Sequence, residues 1–221
     1  MNVYFISPHL DDAILSAGGL IYDLKDKEKV KIVTVFTKGD ELFLKRKVED
    51  ENVCRYLKIN YSHLGFKDAL WRKSYGSMED IFTKNFDNKK EEQNLKKIIT
   101  NKLKKIINNE KNIVIFSPLS VGNHADHRII NKICKDNFTN VIYWEDYPYN
   151  LKSNLPIESI KKNKLSFLEL EKNLFIKEKL IKFYKSQIPV LFKNKPIIIK
   201  KEKYYYDSRL CNIPVMNLFH K

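Results

Sequence analysis

The chain has 221 residues, of which 43% are hydrophobic and 12% aromatic, a length and composition typical of one globular domain with a buried core. It has no run of about 18 apolar residues, which argues against a membrane span, and its short apolar start lacks the features of a signal peptide. Its three cysteines are scattered without a CxxC pair, which favours free thiols in a reducing cytoplasm. We expect one cytoplasmic domain over residues 1–221, with a catalytic core over 1–150.

The net charge of +14 is concentrated in the last third of the chain. Residues 1–150 carry +4 and residues 151–221 carry +10, and the excess is almost entirely lysine. Biased composition therefore explains the charge better than a nucleic-acid partner, which we do not expect. A contribution of this basic part to holding an anionic substrate or surface remains open.

Short apolar runs alternate with helical patterns along the chain. Strands are predicted at 3–6, 31–36, 61–64, 112–117 and 141–144, with late strands at 196–199 and 204–206. Helices are predicted at 14–24, 41–57, 95–107, 126–134 and 165–184. Because strand and helix alternate, we expect an α/β fold of the Rossmann-like three-layer αβα type with a mostly parallel sheet.

Two stretches of the chain depart from this regular pattern. Gly18 and Gly19 lie inside a predicted helix, where glycine costs about 1 kcal/mol relative to alanine, so we expect close packing there, against the first strand. Residues 65–86 are aromatic, polar and aperiodic, and long irregular loops in compact domains are usually functional. We interpret this segment as a loop or lid on the substrate side.

Histidines and aspartates cluster where predicted strands end. Pro8-His9-Leu10-Asp11-Asp12 follows the first strand, His124-Ala125-Asp126-His127 follows the strand ending near 117, and Glu145-Asp146 follows the strand ending at 144. In a parallel sheet the carboxyl ends of strands form the crevice where sites occur. Three of the five histidines lie in these stretches, which predicts a metal site. The first strand–helix turn has no GxGxxG, so a dinucleotide site is not expected.

These residue types suit a hydrolytic metal site. Zinc enzymes commonly use three protein ligands and keep a fourth position for water, whose pKa the metal lowers toward 7. One of Asp11 and Asp12 would bind metal while the other takes a proton from the water. His124 and His127 share one side of a helix, so one would ligate while the other contacts the developing oxyanion.

Each residue also has a structural alternative. Asp11 or Asp12 would cap the following helix, Asn123 would cap the next one, and Asp126 would suit the positive end of that helix. His63 and His220 have no comparable setting, and we assign them structural roles. The joint placement of both clusters at strand ends favours the metal site over these separate explanations.

The motifs resemble those of the PIG-L/LmbE-like zinc deacetylases, which remove an acetyl group from N-acetylated amino sugars. The resemblance is carried by Ser7-Pro8-His9-Leu10-Asp11-Asp12 with Gly18-Gly19, and by Gly122-Asn123-His124-Ala125-Asp126-His127. It extends to Arg46 with Glu49, to Leu64-Gly65-Phe66 with Asp68-Ala69-Leu70, and to Glu145-Asp146-Tyr147-Pro148-Tyr149. It covers residues 1–150 well and the remainder loosely.

The resemblance implies a role for each motif residue. His9, Asp12 and His127 would hold Zn²⁺, although Fe²⁺ or another divalent ion also suits such a set. Asp11 would be the general base, and His124 would stabilise the oxyanion or protonate the leaving amine. Asp126 would orient one of the histidines.

The chain departs from the common family pattern at Leu10, where many members have proline, and at Ala13, where many have glutamate. Neither residue is a ligand, so these changes affect the expected substrate rather than the metal chemistry. Arg46, Arg72, Glu145 and Asp146 are candidate substrate contacts. Arg72 would bind a phosphate or carboxylate of the substrate. The alternative is that Arg72 is an ordinary surface residue without a functional role.

Three functional hypotheses follow. The leading one is a zinc-dependent N-deacetylase acting on a small-molecule amino sugar or glycoconjugate. The second is a zinc hydrolase of another amide or ester, and the third, which has the least support, is a basic nucleic-acid-binding module. The sequence makes no prediction of the oligomeric state.

Overall fold

The computed structural model describes residues 1–83, 90–107, 112–193, 195–207, 209 and 218–219. Within them, a seven-stranded and mostly parallel sheet is flanked by helices on both faces. The predicted α/β fold class is therefore confirmed.

The strands and helices have the following bounds. The strands are β1 Asn2–Ser7, β2 Lys29–Lys38, β3 Asn60–Lys67, β4 Ile113–Pro118, β5 Val141–Trp144, β6 Leu165–Leu170 and β7 Glu202–Asp207. The α-helices are α1 Asp12–Leu24, α2 Leu42–Leu57, α3 Met78–Thr83, α4 Lys90–Ile107, α5 Ala125–Asn137, α6 Ile157–Lys162, α7 Leu174–Ile181 and α8 Ile188–Phe192. One-turn 3₁₀ helices form at Ala69–Trp71 and Tyr149–Leu151.

The strand order is β3-β2-β1-β4-β5-β7-β6. β1 pairs in parallel with both β2 and β4, and β5 extends the parallel part on the β4 side. β7 is the one reversed strand, and it pairs antiparallel with both β5 and β6. The chain therefore winds away from β1 in both directions. Such a switch point opens a crevice at the carboxyl ends of the strands, and the first two sequence motifs follow β1 and β4 there.

The two faces of the sheet bury separate apolar clusters. On one face Phe5 stacks on Phe116 with ring centroids 4.5 Å apart, and these rings pack with residues of α1 and α7. On the other face Ile6 packs with Ile99 of α4 and Ile130 of α5. Since successive residues of a strand point to opposite faces, the apolar β1 run supplies both clusters.

The predicted helix at 165–184 is confirmed only at Leu174–Ile181 and is wrong at its start. Residues 165–170 form strand β6, which pairs antiparallel with β7 through contacts such as Phe167 with Tyr205, and only α7 is helical. Half-buried and exposed positions alternate along Phe167–Leu170, the period-2 signature of a strand, and pairing with the tyrosine-rich β7 decides the outcome. Residues 204–206 are in a strand as predicted, whereas 196–199 are not.

The segment 65–86 has more structure than the sequence suggested. Strand β3 continues to Lys67, the 3₁₀ turn follows directly, and α3 begins at Met78. Residues 84–86 lie outside the described residues. The short helices α6 and α8 were also not predicted, because five or six residues are too few to show a helical period.

The described part of the chain contains no helix both long and apolar enough to cross a bilayer. Cys54 and Cys134 are buried free thiols. Cys211 and His220 lie outside the described residues.

The Gly18-Gly19 pair packs against the C-terminal part of the chain and not against β1. A Cβ on Gly19 would lie 2.9 Å from the Lys172 carbonyl oxygen and 3.3 Å from Glu202 Oε1. The backbone N–H groups of Gly19 and Leu20 donate to the buried Glu202 carboxylate at 2.9 and 3.0 Å, and Lys177 Nζ lies 3.1 Å from it. Gly19 therefore lets α1 approach β7 closely enough to make these bonds.

We expect Gly19→Ala to destabilise the fold by about 1–3 kcal/mol, because its Cβ would collide with backbone. Gly18→Ala is the matched control, since its Cβ would meet only ordinary contacts of 3.5 Å. This control should be neutral or stabilise by up to about 1 kcal/mol. Urea unfolding of both variants measures the difference, and equal effects would contradict the packing argument.

Candidate metal centre

The first motif forms the tight turn between β1 and α1. Ser7 Oγ donates to the His9 carbonyl at 2.7 Å and accepts from the Ala13 N–H at 3.1 Å. Asp11 is at the N-cap position of α1, but its carboxylate makes no capping hydrogen bond. Helix capping therefore does not account for the Asp11 side chain.

The second motif opens helix α5. The N-cap residue is His124 and not Asn123, and its Nδ1 accepts from the Asp126 N–H at 3.2 Å. A neutral His124 ring with this bond carries its proton on Nε2. His9 and His124 meet edge-on with ring centroids 4.9 Å apart, so the two motifs form one cluster.

Asp12 lies between two imidazoles. Its Oδ2 is 3.0 Å from His9 Nδ1 and 3.2 Å from His127 Nε2. Ligand atoms around a tetrahedral zinc with bonds of 2.0–2.2 Å are about 3.3–3.6 Å apart, within a few tenths of an ångström of both distances. His127 Nε2 is buried and makes no hydrogen bond, as expected of an atom that needs a ligand of another kind.

Both histidines are backed by a carboxylate on their second nitrogen. His9 Nε2 is 3.0 Å from Asp126 Oδ2, and His127 Nδ1 is 2.6 Å from Asp146 Oδ1. Asp146 also accepts from the Val121 N–H at 2.8 Å. A carboxylate behind each imidazole fixes the ring and its tautomer, an arrangement typical of metal-binding histidines. His9, Asp12 and His127 therefore fit a divalent cation.

Other ligand sets lie close by. One ligand atom each from His9, His124 and His127 lies within 4.8 Å of the others, and the same holds for His9, Asp68 and Asp126. The Asp126 oxygens, however, are already engaged by other donors. Its Oδ2 accepts from the Ala69 N–H at 2.9 Å, and its Oδ1 accepts from Arg72 at 2.6 Å. Asp126 is thus a hydrogen-bond partner of His9, and both of its oxygens are occupied by other groups of the chain.

Arg72 is buried beneath the centre. Its guanidinium pairs with Asp126 and, through Nε at 3.3 Å, with the buried carboxylate of Glu92 on α4. It also packs over the Phe36 ring, 5.1 Å from the centroid. The guanidinium is thus held by acids of the chain itself.

Burial and neighbouring charges shift the pKa values of the histidines in the cluster. Burial disfavours the charged imidazoles, but Asp68 and Asp12 raise the pKa of His9 well above its ordinary value. Against the same cost of burial, Asp12 and Asp146 raise the pKa of His127 to about 9. The carboxylates therefore stabilise positive charge at the two imidazoles, and either protons or a bound cation can supply that charge.

The pKa values of Asp11 and His124 are shifted in the directions that favour their neutral forms. Burial raises the pKa of Asp11 to about 6, although Arg46, 3.5 Å away, lowers it in part. Burial, followed by the charge on His9, lowers the pKa of His124 well below its ordinary value. Burial thus favours the neutral form of both the Asp11 carboxyl and the His124 imidazole.

A cavity of about 350 Å³ opens over the centre. Of the predicted residues, His9, Asp11, Asp12, His124 and Arg46 line it. Arg72, Glu145 and Asp146 do not line it. Glu145 instead accepts hydrogen bonds from Asn150 and Tyr205, so the substrate contacts predicted for these three have no support from their placement.

Several residues that line the cavity were not predicted from the sequence. Asp68 and Tyr149 lie in stretches that carried the family resemblance but were given no role. Gln187, Val190 and Leu191 come from the loosely matched C-terminal part. This wall is fastened to α2 because Ser186 donates to Glu49 through its N–H at 2.9 Å and its hydroxyl at 2.6 Å. No local pattern marks such a long-range contact.

Comparison with solved structures shows the same architecture in known deacetylases. A deacetylase of the teicoplanin biosynthesis pathway matches with a TM-score of 0.73 at 22% identity, covering 93% of this chain and 97% of its own. The A40926 pseudoaglycone deacetylase Dbv21 matches with a TM-score of 0.70 at 19% identity, covering 95% and 98%. The N,N'-diacetylchitobiose deacetylase from Pyrococcus horikoshii matches with a TM-score of 0.55 at 19% identity, covering 87% and 73%.

These matches place the chain in the fold class of such deacetylases. A comparison with curated proteins gave no significant match. The family model described as PIG-L, GlcNAc-PI de-N-acetylase, matches residues 4–138, more than half of the sequence. The chain therefore belongs to the PIG-L family of N-deacetylases, as its motifs predicted.

We expect Asp146→Asn to weaken Zn²⁺ binding roughly 10–100-fold, the usual cost of losing a carboxylate behind a ligand histidine. An amide removes the charge and cannot accept from both His127 and Val121 as the carboxylate does. Competition with a chromophoric chelator measures the affinity. Asp136→Asn, at an exposed ion pair on α5, is the control, and equal affinities of the two folded variants would contradict the role of Asp146.

Arg72→Met should destabilise the protein by about 3–5 kcal/mol, because two buried carboxylates, Asp126 and Glu92, lose their cation. Arg55→Met is the control, since its exposed pair with Glu51 contributes at most about 1 kcal/mol. Thermal and urea unfolding measure both. A loss below about 1 kcal/mol for Arg72→Met would show that this buried network is not stabilising.

Proposed function

We propose that this N-deacetylase is metal-dependent and hydrolyses the acetamido group of an amino sugar or glycoconjugate. The observation that carries the proposal is the Asp12 carboxylate between His9 Nδ1 and His127 Nε2, with Asp11 and His124 lining the cavity beside it. His9, Asp12 and His127 would hold the cation. Zn²⁺ suits this set, and Fe²⁺ is an alternative.

A divalent cation bound there would polarise the acetyl carbonyl and make water acidic enough to act near neutral pH. Asp11 is suited to accept the proton of the attacking water, because its carboxylate lines the cavity and is not used in helix capping. Arg46 lies 3.5 Å from Asp11 Oδ1 and restrains it. The general base is therefore separate from the Asp12 ligand.

His124 is placed to act on the acetyl group. Because its Nδ1 is engaged by the Asp126 N–H, its Nε2–H is the group available to donate to the carbonyl oxygen as charge develops there. Addition of water is followed by cleavage of the C–N bond. Asp11 returns the proton that it accepted to the amine as this leaves, and the products are acetate and a free amino sugar.

The proposed substrate class is based on the similar solved structures. The three compared enzymes are described as deacetylases of teicoplanin biosynthesis, of the A40926 pseudoaglycone and of N,N'-diacetylchitobiose. A further match is described as a zinc-inhibited form of the teicoplanin deacetylase Orf2. These descriptions support a small-molecule amino-sugar conjugate as substrate. We also propose a reducing compartment such as the cytoplasm, in keeping with the free thiols of Cys54 and Cys134.

The same site chemistry would serve another acyl group or an ester. Comparing the release of acetate, propionate and butyrate from matched N-acyl glucosamines separates the two functions. The nucleic-acid hypothesis has no described feature in its favour beyond the lysine-rich C-terminal part.

Asp11→Asn should retain metal but lose at least about 10²-fold in kcat, because removing a general base typically costs 10²–10⁴. His127→Ala should lose the metal itself. Free-amine release from N-acetylglucosamine conjugates and metal content by mass spectrometry give the two readouts, with Asp136→Asn as control. Full activity of Asp11→Asn on a confirmed substrate would remove Asp11 from the mechanism.

A further inference from the structure

A second groove lies along helix α5, apart from the cavity over the His/Asp cluster. It consists of two adjoining cavities of about 170 and 270 Å³, and their combined space is in the range of small-molecule sites. The residues shared by the two cavities are Leu119, Asn131, Lys135 and Ser159. Among the described residues, none lines both this groove and the catalytic cavity. The groove is therefore a separate place where a ligand can bind.

We propose that this groove, which we call the α5 groove, binds a sugar unit that carries an anionic group, either a phosphate or a carboxylate. The proposal is independent of the proposed function, because no residue that lines the groove belongs to the His/Asp cluster as the structure describes it. It is supported by a buried hydroxyl, by oriented amides beside an apolar wall, and by an excess of basic side chains.

The buried hydroxyl belongs to Tyr143 of β5. Tyr143 is only 7% exposed and lines the smaller cavity, yet its hydroxyl makes no hydrogen bond with any residue that the structure describes. Burial raises the pKa of Tyr143 above its ordinary value, so the hydroxyl stays protonated and can both donate and accept. Buried polar groups normally have a partner, and a hydroxyl of a bound ligand would provide one here.

Three asparagines that line the same cavity have amides whose orientation is fixed by the chain. Asn131 Nδ2 donates to the Pro118 carbonyl at 2.8 Å, and Asn163 Nδ2 donates to the Ser159 carbonyl at 2.6 Å. Asn140 Nδ2 likewise donates to a backbone carbonyl, at 3.3 Å. Within the described part of the chain the three amide oxygens accept no hydrogen bond, which leaves them for donors such as sugar hydroxyls.

Apolar side chains form the rest of the smaller cavity. They are Leu119, Phe138, Val141 and Leu165. A sugar ring has an apolar C–H face and a rim of hydroxyl groups. It can therefore pack on these side chains while its hydroxyls bond to Tyr143 and to the amide oxygens, a combination typical of small-molecule sites.

Basic side chains outnumber acidic ones along the α5 groove. The basic residues are Arg128, Lys132 and Lys135. Of the two acids that line the groove, Asp136 pairs with Lys132 at 2.9 Å and Asp207 pairs with Arg209 at 2.6 Å. Lys135 has no ion-pair partner among the residues described, and it lines both cavities. Its ammonium group is thus available to bind a phosphate or carboxylate on the sugar.

The test is calorimetric titration of the metal-loaded protein with glucose 6-phosphate, glucuronate, glucose and inorganic phosphate. We expect at least one of the two anionic sugars to bind with a Kd below about 1 mM, and about tenfold or more tighter than glucose or phosphate alone. The reason is that only an anionic sugar can engage both Lys135 and the hydroxyl partners. The tighter of the two identifies the anionic group.

Two variants assign the binding to the α5 groove. Tyr143→Phe removes only the hydroxyl and should weaken binding about two- to tenfold, the usual effect of one hydrogen bond, without lowering the melting temperature. Lys135→Gln should bring the affinity for the anionic sugar to within about threefold of that for glucose. Lys105→Gln, at an exposed position of α4, and Asp11→Asn, in the catalytic cavity, should leave binding unchanged.

The proposal is overturned if neither anionic sugar shows saturable binding, or if inorganic phosphate alone binds equally well. Binding that Tyr143→Phe and Lys135→Gln leave unchanged would also overturn it, because the ligand would then lie elsewhere, for example at the metal centre. A lower melting temperature of Tyr143→Phe with unchanged binding would assign the hydroxyl to the fold instead.

Discussion

The carboxylate of Asp12 lies within 3.2 Å of a nitrogen from each of two histidines that are far apart in the sequence. Bringing these three groups together in a buried place concentrates charge that water cannot screen, so the surrounding chain has to compensate for it. Asp126 and Asp146 bind the far side of each imidazole and so stabilise positive charge on the two rings beside Asp12. The arrangement explains why so many ionisable groups are buried at the carboxyl ends of β1, β4 and β5.

The compensation extends beyond the groups that touch the histidines. Arg72 neutralises Asp126 and is itself paired with Glu92 of α4. Burial alone would raise the pKa of Asp126, but Arg72 holds it well below the usual range. Asp126 therefore stays anionic and keeps His9 in a fixed orientation. Arg72, which the sequence suggested as a contact for an anionic substrate, is instead paired with two carboxylates beneath the His/Asp cluster.

The sequence predicted the parts of this structure that have local signatures. Strands β1, β2, β4 and β5 are short apolar runs, and the cluster of histidines and aspartates follows from two motifs at strand ends. Features created by long-range pairing were not predictable. Residues 165–170 became a strand because β7 lies beside them, Gly19 packs on Glu202 far along the chain, and Asp146 reaches His127 only once β5 is placed next to β4.

The family match ends at residue 138, yet one wall of the cavity comes from Gln187, Val190 and Leu191. This wall is fastened to α2 through the bonds between Ser186 and Glu49. The cavity is therefore shaped by two distant segments of the chain, and only one of them carries the His/Asp cluster. Substitutions at Gln187, Val190 or Leu191 can change the shape of the cavity without replacing any residue of that cluster.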